Sequence, residues 1–431
     1  MSKQRPYGAG DSKWFVHDRF GMFIHWGLYA AAARHEWMKS RERMSTADYQ
    51  RYFDHFNPDM YDPTAWARAA KNSGMKYFVI TTKHHEGFCL WDTKYTDYKA
   101  PNTPYGKDLL KPMVKAFRDA GIRVGFYYSL IDWHHPEFVV DCNHPMKANE
   151  DERRKNKQRD MKKYAAYMRN QVTELLTKFG DVDILWFDYS YPIADGKGRD
   201  DWESEKLIRL VRKLRPDILV DDRLDLPGSG DIITPEQYQP RGWVVDAEGK
   251  PALWEACQTF SGSWGYYRDE QSWKSVKLLL TMLVDNVSKG GNLLLNVGPT
   301  GRGYIDQRAL DRLAGIGAWM KYNSRSIYGC TASAFTPPAD CRYTQNGKRL
   351  YLHILNWPFK NLYLEGLADK VEYAQFLHDA SEVKLATERP PKPTRMSDKQ
   401  FDQHWPKGYA VLDLPPVHPP VEIPVVELFL K

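Results

Sequence analysis

From about residue 15 to residue 328, short runs of apolar, β-prone residues alternate with longer stretches in which apolar positions recur every three or four residues. The first pattern predicts strands over 21–26, 77–82, 123–129, 184–188, 218–222, 252–257 and 292–297. The second predicts helices over 64–73, 109–120, 155–179, 202–214, 271–289 and 306–322, several of which stop at a glycine, as at Gly74, Gly121, Gly180 and Gly290. Strands alternating with helices in this way predict βα units around a parallel sheet. Almost every predicted strand is apolar until its C-terminal end and then turns polar. His25 closes the first strand and His84 and His85 the second; Tyr127 lies near the end of the third, Asp188 ends the fourth, Asp222 and Arg223 end the fifth, Glu255 is within the sixth, and Asn296 ends the last. Polar residues converging at the carboxyl ends of strands predict an α/β fold of the (β/α)8-like, TIM type with one site on that face. A dinucleotide-binding fold would carry GxGxxG after the first strand, where this chain reads GMFIHWG.

After about residue 327 the helical period disappears. Proline pairs (Pro337-Pro338, Pro390-Pro391, Pro415-Pro416, Pro419-Pro420) and short alternating runs over 349–355 and 421–429 take its place. That texture predicts a small antiparallel β-sandwich. Two domains are therefore expected, a catalytic barrel over 1–328 and a C-terminal sandwich over 329–431.

The chain has 431 residues, with 61 basic and 55 acidic residues giving a net charge of +6 spread along its length. So small and dispersed an excess does not call for nucleic acid, and the densest charged stretch, 149–169, mixes both signs as a solvated helix face does. No apolar run approaches the ~20 residues of a membrane span, and the N-terminal residues lack the apolar segment of a secretory signal. The five cysteines are widely spaced without a CxxC pair, which argues against a disulfide framework and a zinc knuckle. The expected compartment is the cytoplasm, or the periplasm or exterior if a signal has been removed. A homo-oligomer is compatible with the sequence. The Asn286-Val287-Ser288 sequon falls within a predicted helix and reads as a chance match. Aromatic residues make up 14% of the chain, and such rings suit a carbohydrate cleft because they pack against C–H faces while Tyr and Trp keep a polar handle.

The histidines at strand ends invite a metal reading, but their spacing opposes it. His25 is followed by Trp26 and Gly27, and the adjacent His84 and His85 would point to opposite faces of a continuing strand. Neutral imidazoles can instead hydrogen-bond sugar hydroxyls. Glycoside hydrolysis with retention needs two carboxyl groups, one ionised nucleophile and one protonated acid. Asp188, after Trp186 and Phe187 at an apolar strand's mouth, needs either that work or an ion-pair partner such as Arg223. The second carboxyl group is Glu236 in TPEQY, on the loop after the fifth strand, or Glu255 in LWEACQ, whose place within a strand favours a structural role.

The runs FGMFIHWG, EWM, YFVITTKHHEGFCLWDTKYTDY, GFYYS, ILWFD, DDR, TPEQY, WGY and SKGGNLLLNVGPTGRG occur in this order. Over residues 14–328 the chain thereby resembles the α-L-fucosidases of glycoside hydrolase family 29. The resemblance implies a retaining exo-glycosidase that removes terminal α-L-fucose from a fucosylated glycan through a covalent fucosyl-aspartate, without metal or cofactor. It makes Asp188 the nucleophile and Glu236 the acid/base. His25, Glu36, Trp37, His84, His85 and Tyr127 fall on sugar-contacting positions, with Trp186 and Arg223 beside the nucleophile and Phe23 and Trp264 against the C5 methyl group. Two positions depart from the family's habit: Glu86 stands where HHDG is common, and Phe187 precedes the nucleophile. The other readings are a hydrolase of another α-L-glycoside, such as an α-L-galactoside, and a lectin-like protein that binds fucose without turnover.

Overall fold

The computed structural model describes residues 7–389, 391–405 and 407–431, so Pro390 of the second proline pair lies outside the described residues. Among the described residues, eight parallel strands form one sheet: β1 Phe20–Ile24, β2 Tyr77–Lys83, β3 Arg123–Ser129, β4 Ile184–Asp188, β5 Leu219–Val220, β6 Ile232–Ile233, β7 Leu253–Thr259 and β8 Asn292–Val297. Their order is β5-β4-β3-β2-β1-β8-β7-β6. A parallel bridge between Asp221 and Ile232, with Asp231 N donating to Val220 O at 2.6 Å, joins the two ends of the sheet and closes the barrel.

Both faces of each strand are covered, which is why the strands read as continuous apolar runs. Phe23, Val79, Tyr127, Ile184, Trp186, Ile232 and Leu294 pack together inside the barrel. Met22, Ile24, Phe78, Ile80, Phe126, Leu185 and Phe187 belong to the layer shared with the surrounding helices. Period-two alternation therefore directs Trp186 and Asp188 inward and Phe187 outward, so the unusual Phe187 belongs to the outer apolar layer and does not line the pocket.

Three of the predicted strands have the expected bounds, while the fifth shrinks to two residues and β6 was not foreseen. A two-residue strand gives no measurable periodicity. The helices Pro63–Asn72, Leu110–Asp119 and Gln307–Asn323 lie within a residue of their predicted bounds. Others start late where a cap intervenes. Met161–Lys178 begins after Asp160, whose side chain accepts Lys162 N, and Val276–Val287 begins after Ser275, which accepts Leu278 N. Two of the predicted stops, Gly121 (φ 76°) and Gly180 (φ 70°), take the left-handed conformation that ends a helix at little cost only for glycine. Asn286 of the sequon is fully buried and donates to Asn292 O at 3.0 Å, so it presents no amide for modification.

The C-terminal strands are antiparallel: β9 Cys341–Asn346, β10 Arg349–Ile354, β11 Asn361–Leu364, β12 Val371–Phe376, β13 Lys384–Ala386, β14 Ala410–Asp413 and β15 Val425–Leu430. They form sheets ordered β12-β15-β10-β9 and β11-β14-β13 over a shared apolar core. The sandwich braces the last barrel helix. Trp319 Nε1 donates to Ile423 O at 2.8 Å, and Ile423, Val425 and Tyr351 join the same apolar layer as Ile316 and Trp319. No helix among the described residues is long and apolar enough to cross a membrane.

Candidate active site

The strand ends converge on a pocket lined by Phe23, His25, Trp37, His84, His85, Tyr127, Trp186, Asp188, Tyr189, Arg223, Glu236, Cys257 and Trp264. Its non-atom space amounts to about 370 Å3 with the open mouth included. All the site residues expected from sequence lie here except Glu36. That side chain is buried against the Trp264 loop, where it accepts Gly265 N at 2.8 Å, and lines an adjoining open trough with Trp37, Arg41, Tyr189, Gln237, Gly262 and Trp264. Gly298 lets the Trp264 loop come close, because a Cβ there would meet Tyr266 N at 2.7 Å and Trp264 O at 2.8 Å.

Asp188 ends β4, is 9% exposed, and has both oxygens engaged. Arg223 Nη1 donates to its Oδ1 at 2.8 Å and Tyr127 Oη to its Oδ2 at 2.7 Å. Burial, followed by the neighbouring Asp188, raises the Tyr127 phenol well above its ordinary value, so it remains a donor. The same Arg223 Nη1 lies 2.7 Å from Glu236 Oε2. Because these contacts of 2.8 and 2.7 Å share one nitrogen, the two carboxylate oxygens are at most 5.5 Å apart. The guanidinium is fixed further by Thr234 Oγ1 at 3.0 Å and rests over the Trp186 ring at 4.4 Å. Burial works against the Arg223 charge but is outweighed by the Asp188 carboxylate, with Glu236 adding to it, and its pKa is raised well above the usual value.

Three imidazoles face the pocket. His25 Nδ1 lies 2.6 Å from Asn296 Oδ1, while Asn296 Nδ2 donates to Trp264 O, so Nδ1 carries the proton and Nε2 is left as an acceptor. His85 follows the same logic. Ser129 Oγ gives its proton to Ile131 O and so accepts from His85 Nδ1 at 2.7 Å. Burial, then the His84 ring, holds both His25 and His85 well below the ordinary imidazole range. They are therefore neutral, and the 3.9 Å approach of His85 Nε2 to Asp188 Oδ2 is a lone pair beside a carboxylate, with room for a bridging hydroxyl and without ion-pair character. Phe23 packs against His25, Trp186 and Trp264 with centroids 4.5, 5.3 and 5.9 Å away, forming the apolar floor.

Glu255 is placed elsewhere. It pairs in register with Asn292 at the start of β8, is fully buried below Trp186, and accepts a hydrogen bond from Tyr77. Burial raises its carboxyl group to about 7. Tyr189 and Cys257 are pocket residues that the sequence did not reveal. The Cys257 thiol is pushed well up by burial and stays protonated. Tyr189, next to Asp188, and Gln237, next to Glu236, both adopt positive φ (76° and 60°), an uncommon conformation for such side chains that turns the chain sharply after each carboxylate. Among the described residues no group of three or more His, Cys, Asp or Glu side chains is arranged to hold a metal ion.

With this geometry in view, comparison with known proteins is specific. The sequence model described as alpha-L-fucosidase matches residues 7–325. Plasma alpha-L-fucosidase of Rattus norvegicus is 30% identical over 393 residues, covering 82% of this chain and 79% of that protein. Alpha-L-fucosidase isoenzyme 1 from Paenibacillus thiaminolyticus superposes with a TM-score of 0.90 at 46% identity, covering 97% of this chain and 98% of its own. A family 29 alpha-L-fucosidase from Bacteroides thetaiotaomicron, solved as a trapped covalent intermediate with 2-fluoro-fucosyl fluoride, superposes with a TM-score of 0.82 at 27% identity over the full length of both chains. The chain belongs to the α-L-fucosidase family, glycoside hydrolase family 29.

Proposed function

We propose that the pocket hydrolyses terminal α-L-fucosyl linkages with retention, with Asp188 as nucleophile and Glu236 as acid/base. The observation that carries this reading is the shared Arg223: it limits the nearest carboxylate oxygens to at most 5.5 Å apart, a ceiling that admits the ~5–5.5 Å of retaining enzymes and falls short of the ~6.5–9.5 Å at which inverting ones leave room for a water. An Asp188 oxygen bonds to the sugar C1 as the C1–O bond to the leaving group breaks, and the departing oxygen takes the proton of Glu236. Glu236 then removes a proton from water, the water oxygen attacks C1, and the C1–Asp188 bond breaks to free the enzyme. Arg223 and Tyr127 hold the nucleophile's orientation throughout. His25, His84 and His85 take sugar hydroxyls, and Phe23 and Trp264 face the C5 methyl group. The leaving sugar departs beside Glu236 and away from Asp188, which assigns it to the trough lined by Trp37, Gln237 and Trp264.

The natural substrate is a fucosylated glycan. The five cysteines are free thiols, which supports the cytoplasm as the compartment. The direct test is release of nitrophenol from 4-nitrophenyl α-L-fucoside by the intact protein and by Asp188→Ala. The variant is expected to lose turnover while calorimetry still detects L-fucose binding; undiminished turnover would remove Asp188 from the chemistry.

A further inference from the structure

Behind the His84-His85 pair lies a group of buried polar side chains that no step above uses. Glu86 and Lys39 are each 1% exposed. Neither carboxylate oxygen of Glu86, nor Lys39 Nζ, Tyr49 Oη or His84 Nδ1, has a hydrogen-bond partner among the described residues. Yet they are neighbours. Glu86 Oε2 is 3.5 Å from His84 Nδ1, and Lys39 Nζ sits 4.9 Å from the centre of the Tyr49 ring. Burial lowers the Lys39 ammonium to about 8, opposed first by the charge of Glu86 and then by that of Asp132. Gly27 makes the room: a Cβ there would meet Glu86 Oε1 at 2.8 Å. The other titratable groups around the cluster include Asp132, paired with Lys83 at 3.2 Å, His25, His85, Tyr29 and Tyr98, and His134 and His144 on the side of Lys39. A buried carboxylate is tolerated when a nearby cation or donor serves it, and the group nearest to Glu86 Oε2 is His84 Nδ1 at 3.5 Å.

We propose that Glu86 is a positioning residue: with Lys39 as countercharge, it holds His84 in the tautomer protonated on Nδ1 and leaves Nε2 to accept from a sugar hydroxyl. Asn296 does this for His25 and Ser129 for His85, so all three imidazoles present acceptors to the pocket. The inference rests on the pocket being a fucose site.

The test combines nitrogen-15 NMR of histidine-labelled protein, with His84 assigned through His84→Gln, and steady-state kinetics. In the wild type His84 should carry its proton on Nδ1. In Glu86→Gln that preference should be lost, and KM for the aryl fucoside and Ki for L-fucose should rise about 10-fold or more while kcat changes less than about threefold, because the lost contact is made in ground and transition states alike. Glu86→Asp, which keeps the charge but withdraws it by one methylene, should show the same changes in smaller measure, and it substitutes as the test if Glu86→Gln does not fold. Adding Glu86→Gln to His84→Ala should cause no further loss. An unchanged His84 tautomer in the Glu86 variants, or losses that simply add, would overturn the proposal. The tautomer is read without substrate. A wild type inactive on fucosides would therefore overturn the fucosidase reading by itself, and an active one with His84 protonated on Nε2 would overturn only the role of Glu86.

Discussion

Arg223 couples the two halves of the proposed chemistry, since one of its nitrogens touches both Asp188 and Glu236. A single guanidinium shared by the two carboxyl groups holds the proposed nucleophile and the proposed acid/base on one anchor. Glu236 is 40% exposed and therefore open to exchange protons with solvent and to meet the water of the second step. Glu236→Ala is expected to slow hydrolysis of natural glycans by ~10²–10⁴-fold while sparing aryl fucosides, whose leaving group needs little protonation. Comparing the two substrate classes checks it, and equal losses on both would move the acid/base elsewhere. At this scale the sequence was informative. Strand-end position pointed to Asp188, His25, His84 and His85, and the motif resemblance added Glu236. Tyr189 was illegible because its role comes from a positive φ that no residue-type preference signals. Between Glu236 and Glu255, depth favours Glu236 for the proposed acid/base role. Glu236 follows β6 and is at the mouth, whereas Glu255 lies within β7, two positions before Cys257 on the barrel's inner face and one layer below it.

At the scale of elements, the strands that carry the site are held by polar contacts as well as by their apolar faces. The junction between β5 and β6 is the weakest part of the sheet, because each strand contributes only two residues. Asp231 compensates. Its carboxylate accepts Val220 N at 2.9 Å, Arg212 Nη2 at 2.6 Å and Gly10 N at 3.2 Å. Asp231→Ala would leave a largely buried guanidinium and a buried backbone N–H without this acceptor, at a cost of about 3 kcal/mol. A urea titration should show the midpoint falling with the slope kept, and an unchanged midpoint would mean that the apolar contacts suffice. Because Arg223 and Thr234 flank this junction, loosening it should also lower kcat. The long β-prone runs of β1 to β4 and β8 were plain in the sequence. β5 was predicted longer than its two residues and β6 was not predicted at all, since their pairing depends on a carboxylate that reaches across the junction rather than on any local pattern.

For the whole molecule, acidity is the informative variable. Burial lowers His134 to about 4 and both His144 and His353 to about 3. Each is neutral in the fold while the unfolded chain takes up a proton near 6.5, so its contribution is intact above that value and is lost as pH falls toward the folded value. The expected loss is about 2 kcal/mol per histidine between pH 6.5 and 5. Glu255, raised to about 7 by burial, and Asp221, also raised by burial, act in the opposite sense, but they are fewer. Melting temperature should therefore drop by several degrees from pH 7 to pH 5, and a flat or rising profile would contradict this balance. Activity should survive EDTA, because Nδ1 of His25 and of His85 is committed to Asn296 and Ser129 and the histidine spacing does not form a ligand set; inhibition reversed by a divalent cation would show otherwise. Locally encoded features were legible from sequence alone: hydrophobic period specifies strand and helix, helix-stop glycines mark where elements end, and the polar turn at each strand's C-terminal end foretells one face of a barrel. Relations among residues distant in the chain needed the tertiary structure. The depth separating Glu236 from Glu255, the single nitrogen shared by two carboxylates and the closure through Asp231 arise when the barrel brings those residues together, and no window of the sequence contains the charges and hydrogen bonds that define them.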